Sequence, residues 1–569
     1  MAMSLGDQPG NGGLGKEPSA RALRPGTSRL EIRKAAPLVA LSLWAAAVRL
    51  FAVLQPQRIV WGDEPSYLWL GRNWLTGQGY SFTGYSDVHH SPGYPLLSGL
   101  LYLLTHNLEL ASDICYVLFG VLLVIPLYLL AKELYGRNVG YVTALLLGVY
   151  PAIATAPAFW GTFTEPPYYF FVYSGLLMVL LAMRRERLWA FLLAGACFGF
   201  AYLIRPEAIA YLAVGGGVLA VVWLSEKRLS ARSTWAGLAL YLVGFLLFLL
   251  PYVYYVYRHT GSWMVSEKAG VTFVTCIGLS EGDTAAFDRA TWGLDSTGLE
   301  VFFFSRESYH VSMIDVIRAY PSQFVRLVVR NTRRFVGTLL SLALFSTYLL
   351  PLMGIAFFKT AWDKRRAKGE LLLLASLAPV LVFLLFFIQD RYIATLLPTL
   401  VIWLGLGSYE LGIWLSETWR NLAGRQLGRC GNSVLKAIPT ILLIAFFAVL
   451  QPRVIKQYTT TGSFRPEHKT LGLWLRENIP QGSVVMSRYP AIAFYADSRW
   501  EPTANASVED LVTYARANHV NYFVLDEVET RELRPQFAAL MRGENLPAAL
   551  KLVHVDDSPR GKLAVFTLR

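Results

Sequence analysis

Long apolar runs separated by short polar stretches recur from Ala35 to about residue 451 and then stop. Runs near twenty residues are what a helix needs to cross the hydrocarbon core of a bilayer. They place spans at about 35–54, 111–131, 139–157, 165–183, 188–204, 206–225, 234–257, 340–358, 370–388, 391–414 and 435–451. The segment 92–106 is apolar but short, and Pro92, Gly93 and Pro95 crowd its start, so it reads as an interfacial or re-entrant helix. A stretch around 313–330 has the spacing of an amphipathic helix. Residues 1–34, rich in Gly, Pro, Ser and Arg, read as a disordered tail, and the first run reads as a span rather than a cleaved signal peptide.

Beyond about residue 452 the pattern changes. Glu467–Asn478, Ser507–His519 and Arg531–Arg542 read as helices, Ser483–Ser487 and Asn521–Leu525 as strands. Residues 550–555 and 562–568 pair as a hairpin around Ser558-Pro559-Arg560-Gly561. The expected class is an α-helical polytopic membrane protein with about eleven transmembrane helices and a small C-terminal soluble α/β domain. The expected division is a tail (1–34), a membrane domain (35–451) with external loops 55–110 and 258–333, and the α/β domain (452–569).

Composition agrees: 54% of the 569 residues are hydrophobic, 16% are charged, and mean hydropathy is +0.40. A net charge of +13 would suit nucleic acid, but much of the excess lies in short loops between apolar runs. Lys132 and Arg137, Arg184 to Arg187, Lys227 to Arg232, Lys359 to Lys368 and Arg420 to Arg429 fall in alternate loops, as the positive-inside rule requires of cytoplasmic ones. Counting segment 92–106 as a crossing would put most of these outside, so eleven spans fit better. The four cysteines are widely spaced with no CxxC, which argues against a disulfide framework or a zinc site.

That topology puts the chemistry-bearing residues on the outer face of a cell membrane, inner or plasma. Asp63 and Glu64 follow the first span in Trp61-Gly62-Asp63-Glu64-Pro65, and His89-His90-Ser91-Pro92 comes some thirty residues later. Glu165 opens a later span, Arg205-Pro206-Glu207 lies at a span end, and Asp390-Arg391-Tyr392 precedes another. A partly desolvated carboxylate can accept a hydroxyl proton, and adjacent helical residues point about 100° apart, so Asp63 leads and Glu64 follows. The guanidinium forks of Arg205 and Arg391 suit a phosphate; the alternative is arginines snorkelling to headgroups. His90 suits a phosphate contact, a metal, or orientation of its loop, and Glu165 suits a helix cap as well as a catalytic role.

Taken in order, these pieces resemble a family. Asp63-Glu64, Tyr67-x-x-x-Gly71-x-Asn73, Gly77-x-Gly79-Tyr80 and His90-Ser91-Pro92-Gly93-Tyr94-Pro95 are similar to the first external loop of the GT-C glycosyltransferases. The bacterial branch related to protein O-mannosyltransferases and the lipid A aminoarabinose transferase is the nearest likeness. Leu203-Ile204-Arg205-Pro206-Glu207 and Arg391-Tyr392-x-x-x-x-Leu397-Pro398 match later motifs of that group, and the resemblance covers about residues 35–410. It implies a polyprenyl-phosphate-linked sugar donor, an external site and inversion at the anomeric carbon.

By position the resemblance makes Asp63 the catalytic carboxylate and Arg205 and Arg391 the donor-phosphate ligands. Glu165, Tyr67, His89, Glu207 and Tyr392 would line the site or its acceptor side. Many relatives have Lys-Pro-Pro where this chain has His90-Ser91-Pro92, so the lysine's phosphate role passes to His90 only by position. A divalent metal such as Mg²⁺ or Mn²⁺ is left open, as are the sugar and whether the acceptor is a lipid, a glycan or a protein. The expected partners are the lipid-linked donor, the acceptor and membrane lipids, with no nucleic acid. The rival class is a transporter or flippase, which would place its ionisable residues near mid-membrane; a non-catalytic scaffold would leave the first loop unexplained.

Overall fold

The computed structural model describes residues 25–569 except 278, 280–282, 424–427 and 463. It separates into a short N-terminal unit, Met1–Ala40, and the unit Leu41–Arg569 that holds the features below. The chain is a polytopic helical membrane protein with a small C-terminal sheet domain. Among the described residues, eight helices are long and apolar enough to cross a bilayer, and Gly93–Thr105, Leu188–Ile204 and Thr347–Phe358 are shorter apolar helices.

Proline accounts for most departures from the expected spans. The run 139–157 is a helix only over Arg137–Val149; Tyr150 is extended ahead of Pro151, and short turns follow at Pro151–Ala154 and Ala156–Phe159. A residue before proline is pushed out of the helical region, so the helix stops there. Pro126 has no N–H to give Leu122, and the helix covering 111–131 breaks into Leu108–Leu122 and Val124–Tyr135. The run 340–358 is helical only late, where the Ser346 side chain caps a 3₁₀ turn and Pro351 opens Leu350–Phe358. The amphipathic stretch becomes Met313–Ala319 and Pro321–Leu339, divided before Pro321. Gly93–Thr105 has thirteen residues, about 20 Å of helix and too short for a crossing, and it ends at left-handed His106.

The last long helix, Arg429–Thr459, carries the chain past residue 451 toward the sheet domain. Its strands are β1 (Val484–Ser487), β2 (Arg499–Pro502), β3 (Tyr522–Asp526), β4 (Leu550–Ser558) and β5 (Gly561–Leu568), in the order β2-β1-β3-β5-β4. β1 runs parallel to β2 and β3, while β5 is antiparallel to β3 and β4. β2 was not anticipated from the sequence; only four residues long, it gives no alternation to read. The expected helix 531–542 is instead three short pieces around Pro535.

The sheet is packed on both faces. Phe523, Leu525 and Phe566 face the helix Val508–Ala517, and Val485, Val524 and Val565 share a core with Leu471 and Leu475. That second core also contains Trp69, Leu70 and Phe82, so the sheet domain rests on the segment that follows Asp63. The loop 258–333 joins them through Asp288, which is 1% exposed and accepts from Arg488 at 2.8 Å, Arg534 at 2.9 Å and Asn505 at 2.8 Å.

One buried acid makes the domain's stability pH-dependent. Burial pushes the Glu501 carboxyl from 4.5 up to about 7, although the Tyr514 hydroxyl donates to it. The folded state holds that proton more tightly than the unfolded chain, so this contribution falls as pH rises from about 4.5 to about 7, by at most about 3 kcal/mol. Glu501→Gln is expected to flatten that decline in thermal unfolding of the full-length protein in detergent. An equally steep decline in the variant would contradict the assignment.

Candidate functional site

Two loops laid backbone on backbone fix the position of Asp63. Gly62 has φ +63°, and a Cβ there would stand 2.8 Å from the Gly161 carbonyl oxygen. Gly161, at φ +73°, accepts from the Glu64 N–H at 3.0 Å. Only glycine adopts these angles cheaply and permits this approach, so Trp61–Glu64 and Gly161–Glu165 are locked together. A third segment closes in where Gly93 abuts the Leu203 and Ile204 backbone, with a Cβ position 2.6 Å from the Leu203 carbonyl carbon. That contact brings the His-Ser-Pro turn beside Arg205.

Between these segments lies a cavity of about 340 Å³, walled in part by Asp63, Tyr67 and His89. Arg205 and Glu207, then Arg391 and Tyr392, continue the wall. Residues far apart in sequence and singled out for their chemistry therefore share one space. Phe383 and Phe386 supply apolar surface.

Charge is arranged unevenly in this wall. Arg391 has a guanidinium nitrogen 3.7 Å from Asp63, donates to Gln389 at 2.8 Å and to the Tyr392 hydroxyl at 2.9 Å. Burial raises the Asp63 pKa, but Lys268, Arg391 and His90 outweigh it and hold the carboxyl below its usual value of 3.8. Arg205 is more heavily engaged. It pairs with Glu165 at 3.2 Å and with Glu207, and stands over the rings of Tyr168, Tyr392 and Phe383 at 5.3, 5.0 and 5.9 Å. Glu165 is fully buried behind the wall, where the Thr162 hydroxyl also donates to it at 2.9 Å.

Two candidates turn away from the cavity. Glu64, expected to share the work of Asp63, is fully buried and bound to Arg58 at 2.5 and 3.1 Å, with the Ser112 hydroxyl donating at 2.6 Å. Arg58 also reaches Asp113 at 3.1 Å. The angular offset between neighbours on a helix sends Glu64 inward when Asp63 faces the space. His90, expected at the phosphate, has Nδ1 3.0 Å from Asp87 and packs its ring edge-on against Tyr67 and Phe82. Neither lines the cavity, and Arg58 and Asp87 tie them into the segment 55–110 instead.

Lys268 and Thr272 line the cavity and were not assigned to it from sequence. They lie four apart on the helix Lys268–Ile277 and so share a face. Their one sequence signal was a lysine opening a short apolar helix within the long segment 258–333. Among the described residues, the group spaced to hold a metal is His468, Asp526 and Glu529, which does not line the cavity. Arg465 at 2.9 Å from Asp526 and Arg488 at 3.5 Å from Glu529 already neutralise those acids, so the cluster reads as an ion network.

Residues 89–255 match the sequence profile of the dolichyl-phosphate-mannose-protein mannosyltransferase family. No curated protein sequence matches the chain at a significant level. Solved structures do. The apo oligosaccharyltransferase of Archaeoglobus fulgidus superposes with a TM-score of 0.58 at 15% identity, covering 87% of this chain and 69% of that one. ArnT from Cupriavidus metallidurans bound to undecaprenyl phosphate superposes with a TM-score of 0.51 at 15% identity, covering 94% of this chain and 98% of that one. These likenesses cover most of the chain, which shares its fold with both proteins.

Proposed function

We propose that the protein is a membrane glycosyltransferase that moves one sugar from a polyprenyl-phosphate-linked donor to an acceptor hydroxyl, with inversion. The acceptor is a lipid, a glycan or a protein. The observation that carries this reading is Asp63 beside Arg391 and Lys268 in one cavity wall: a carboxylate to take a proton among cations to hold a phosphate. The fold shared with ArnT, solved with undecaprenyl phosphate, and the partial mannosyltransferase match support the donor class.

In the proposed step the acceptor hydroxyl gives its proton to Asp63 as its oxygen attacks the anomeric carbon. The bond from that carbon to the phosphate oxygen breaks on the opposite side, and the polyprenyl phosphate leaves. A phosphate is a good leaving group once cations neutralise it, so one base and a cationic clamp suffice. Arg205 already faces Glu165 and Glu207 and is assigned to shaping the wall. Arg391, whose nearest acid is Asp63 itself, and Lys268 are assigned to the phosphate.

Donor binding then tunes the base. Lys268 and Arg391, with His90, depress the Asp63 pKa and make it a weaker proton acceptor. A phosphate that neutralises Arg391 and Lys268 removes their part of that depression and leaves that of His90, so the pKa rises and the base strengthens. The acid limb of kcat is expected at higher pH than that of kcat/KM for the donor, since the first reports the complex and the second the free enzyme. Coincident limbs would contradict this coupling.

Asp63→Asn is expected to lower turnover by ~10²–10⁴-fold with donor binding retained. Arg391→Ala should weaken donor binding roughly 10-fold or more. Glu64→Ala should act on stability instead, by about 3–5 kcal/mol, because it strands a buried arginine. Binding, turnover and thermal unfolding measured on one nanodisc preparation of each variant separate these outcomes. Near-normal turnover in Asp63→Asn removes that residue from the mechanism.

We place the cavity and the sheet domain outside a cell membrane, with the basic loops in the cytoplasm. Ser86 and Ser230 are both exposed and report the two sides. In intact cells an impermeant thiol reagent is expected to label Ser86→Cys and spare Ser230→Cys; the reverse pattern would invert the topology.

A further inference from the structure

Three buried polar atoms of the cavity-lining residues have no partner for hydrogen bonding among the described residues: both ring nitrogens of His89 and the Thr272 hydroxyl oxygen. Folded proteins rarely leave such groups unpaired, because each forfeits its bonds to water. Both residues have a geometric setting that keeps them there. The His89 ring is stacked on Phe303 at 5.0 Å and 24°, and its Nδ1 lies beside the buried Glu267 carboxylate. With Nδ1 turned to that carboxylate, Nε2 is the ring nitrogen left for a ligand. Thr272 is fixed on the helix that begins with Lys268, one turn further along the same face.

We propose that His89 and Thr272 form a hydrogen-bonding subsite for the hydroxyls of the donor's sugar, an inference that rests on the donor class proposed above. The chemistry favours a hydroxyl over the phosphate. Thr272 is neutral, and Glu267 behind His89 repels an anion, whereas Arg391 and Lys268 already supply the cationic part of the wall. The helix orders the two functions, a cation first and a hydroxyl roughly 6 Å further along its axis. That succession suits a phosphate followed by the sugar it carries. A site built to hydrogen-bond a hydroxyl discriminates strongly against a ligand that lacks it, because its own buried groups are then left unpaired.

The test is equilibrium binding by native mass spectrometry, using full-length protein in nanodiscs. The probes are undecaprenyl phosphate and a panel of its hexosyl and pentosyl esters. The wild type is expected to prefer one glycosylated lipid over the bare phosphate. Thr272→Val and His89→Gln are each expected to lose roughly 10- to 100-fold of that preference, with affinity for bare undecaprenyl phosphate unchanged. Thr272→Val should also keep or raise the unfolding temperature, since it removes an unpaired hydroxyl, so it decides the matter even if the His89 variant is unstable. An intact sugar preference in Thr272→Val, or a wild type that binds all the lipids equally, overturns the subsite while leaving the donor class standing. A wild type that binds none of them overturns the donor class, and the subsite with it.

Discussion

The cavity depends on holding a half-exposed carboxylate close to arginines whose burial makes an unpaired charge expensive. Asp63 and Arg391 offset one another, Arg205 is divided between Glu165 and Glu207, and His89 is backed by Glu267. Even the support behind the wall follows this rule, with Glu64 bound by Arg58 and Ser112. The pairs differ in how fully they are matched. Glu64 and Arg205 are saturated and fit a structural duty, whereas Asp63 and Arg391 meet only at 3.7 Å. A loosely matched pair is the one an incoming anion can rearrange.

That loose pair needs a stiff frame. The Gly62–Gly161 and Gly93–Leu203 contacts bring three loops together through backbone atoms, which side-chain motion cannot loosen. The sheet domain extends the frame, packing Val524 and Trp500 against Trp69 and Phe82 of the first loop and gripping Asp288 of the long loop with two arginines. The same long loop carries Lys268 and Thr272 into the cavity. The sheet domain thus touches both loops that supply wall residues without itself lining the cavity.

Hydrophobic run length made the membrane class and the C-terminal α/β domain legible, because helices in lipid must be long and apolar and the last part of the chain is neither. Asp63, Arg205 and Arg391 stood out because charge at a span end demands a reason. Run length could not show where proline would cut a helix, as at Pro126, Pro151 and Pro351. Nor could it tell neighbours apart: Glu64 beside Asp63 and His90 beside His89 differ in direction, which only the packed loop decides. Lys268 and Thr272 were hidden for another reason. Their helix is short, and its contact with the first loop is made across nearly two hundred residues of chain.

The most direct measurement is the anomeric outcome of the reaction itself. Purified protein would be incubated with polyprenyl-phosphate sugars of defined anomeric configuration, with water or an added alcohol as acceptor, and the released sugar read by NMR before mutarotation. A single direct displacement with Asp63 as base predicts a product of inverted configuration, formed by the wild type and lost in Asp63→Asn. A retained configuration, or equal release by the Asp63 variant, would contradict the account.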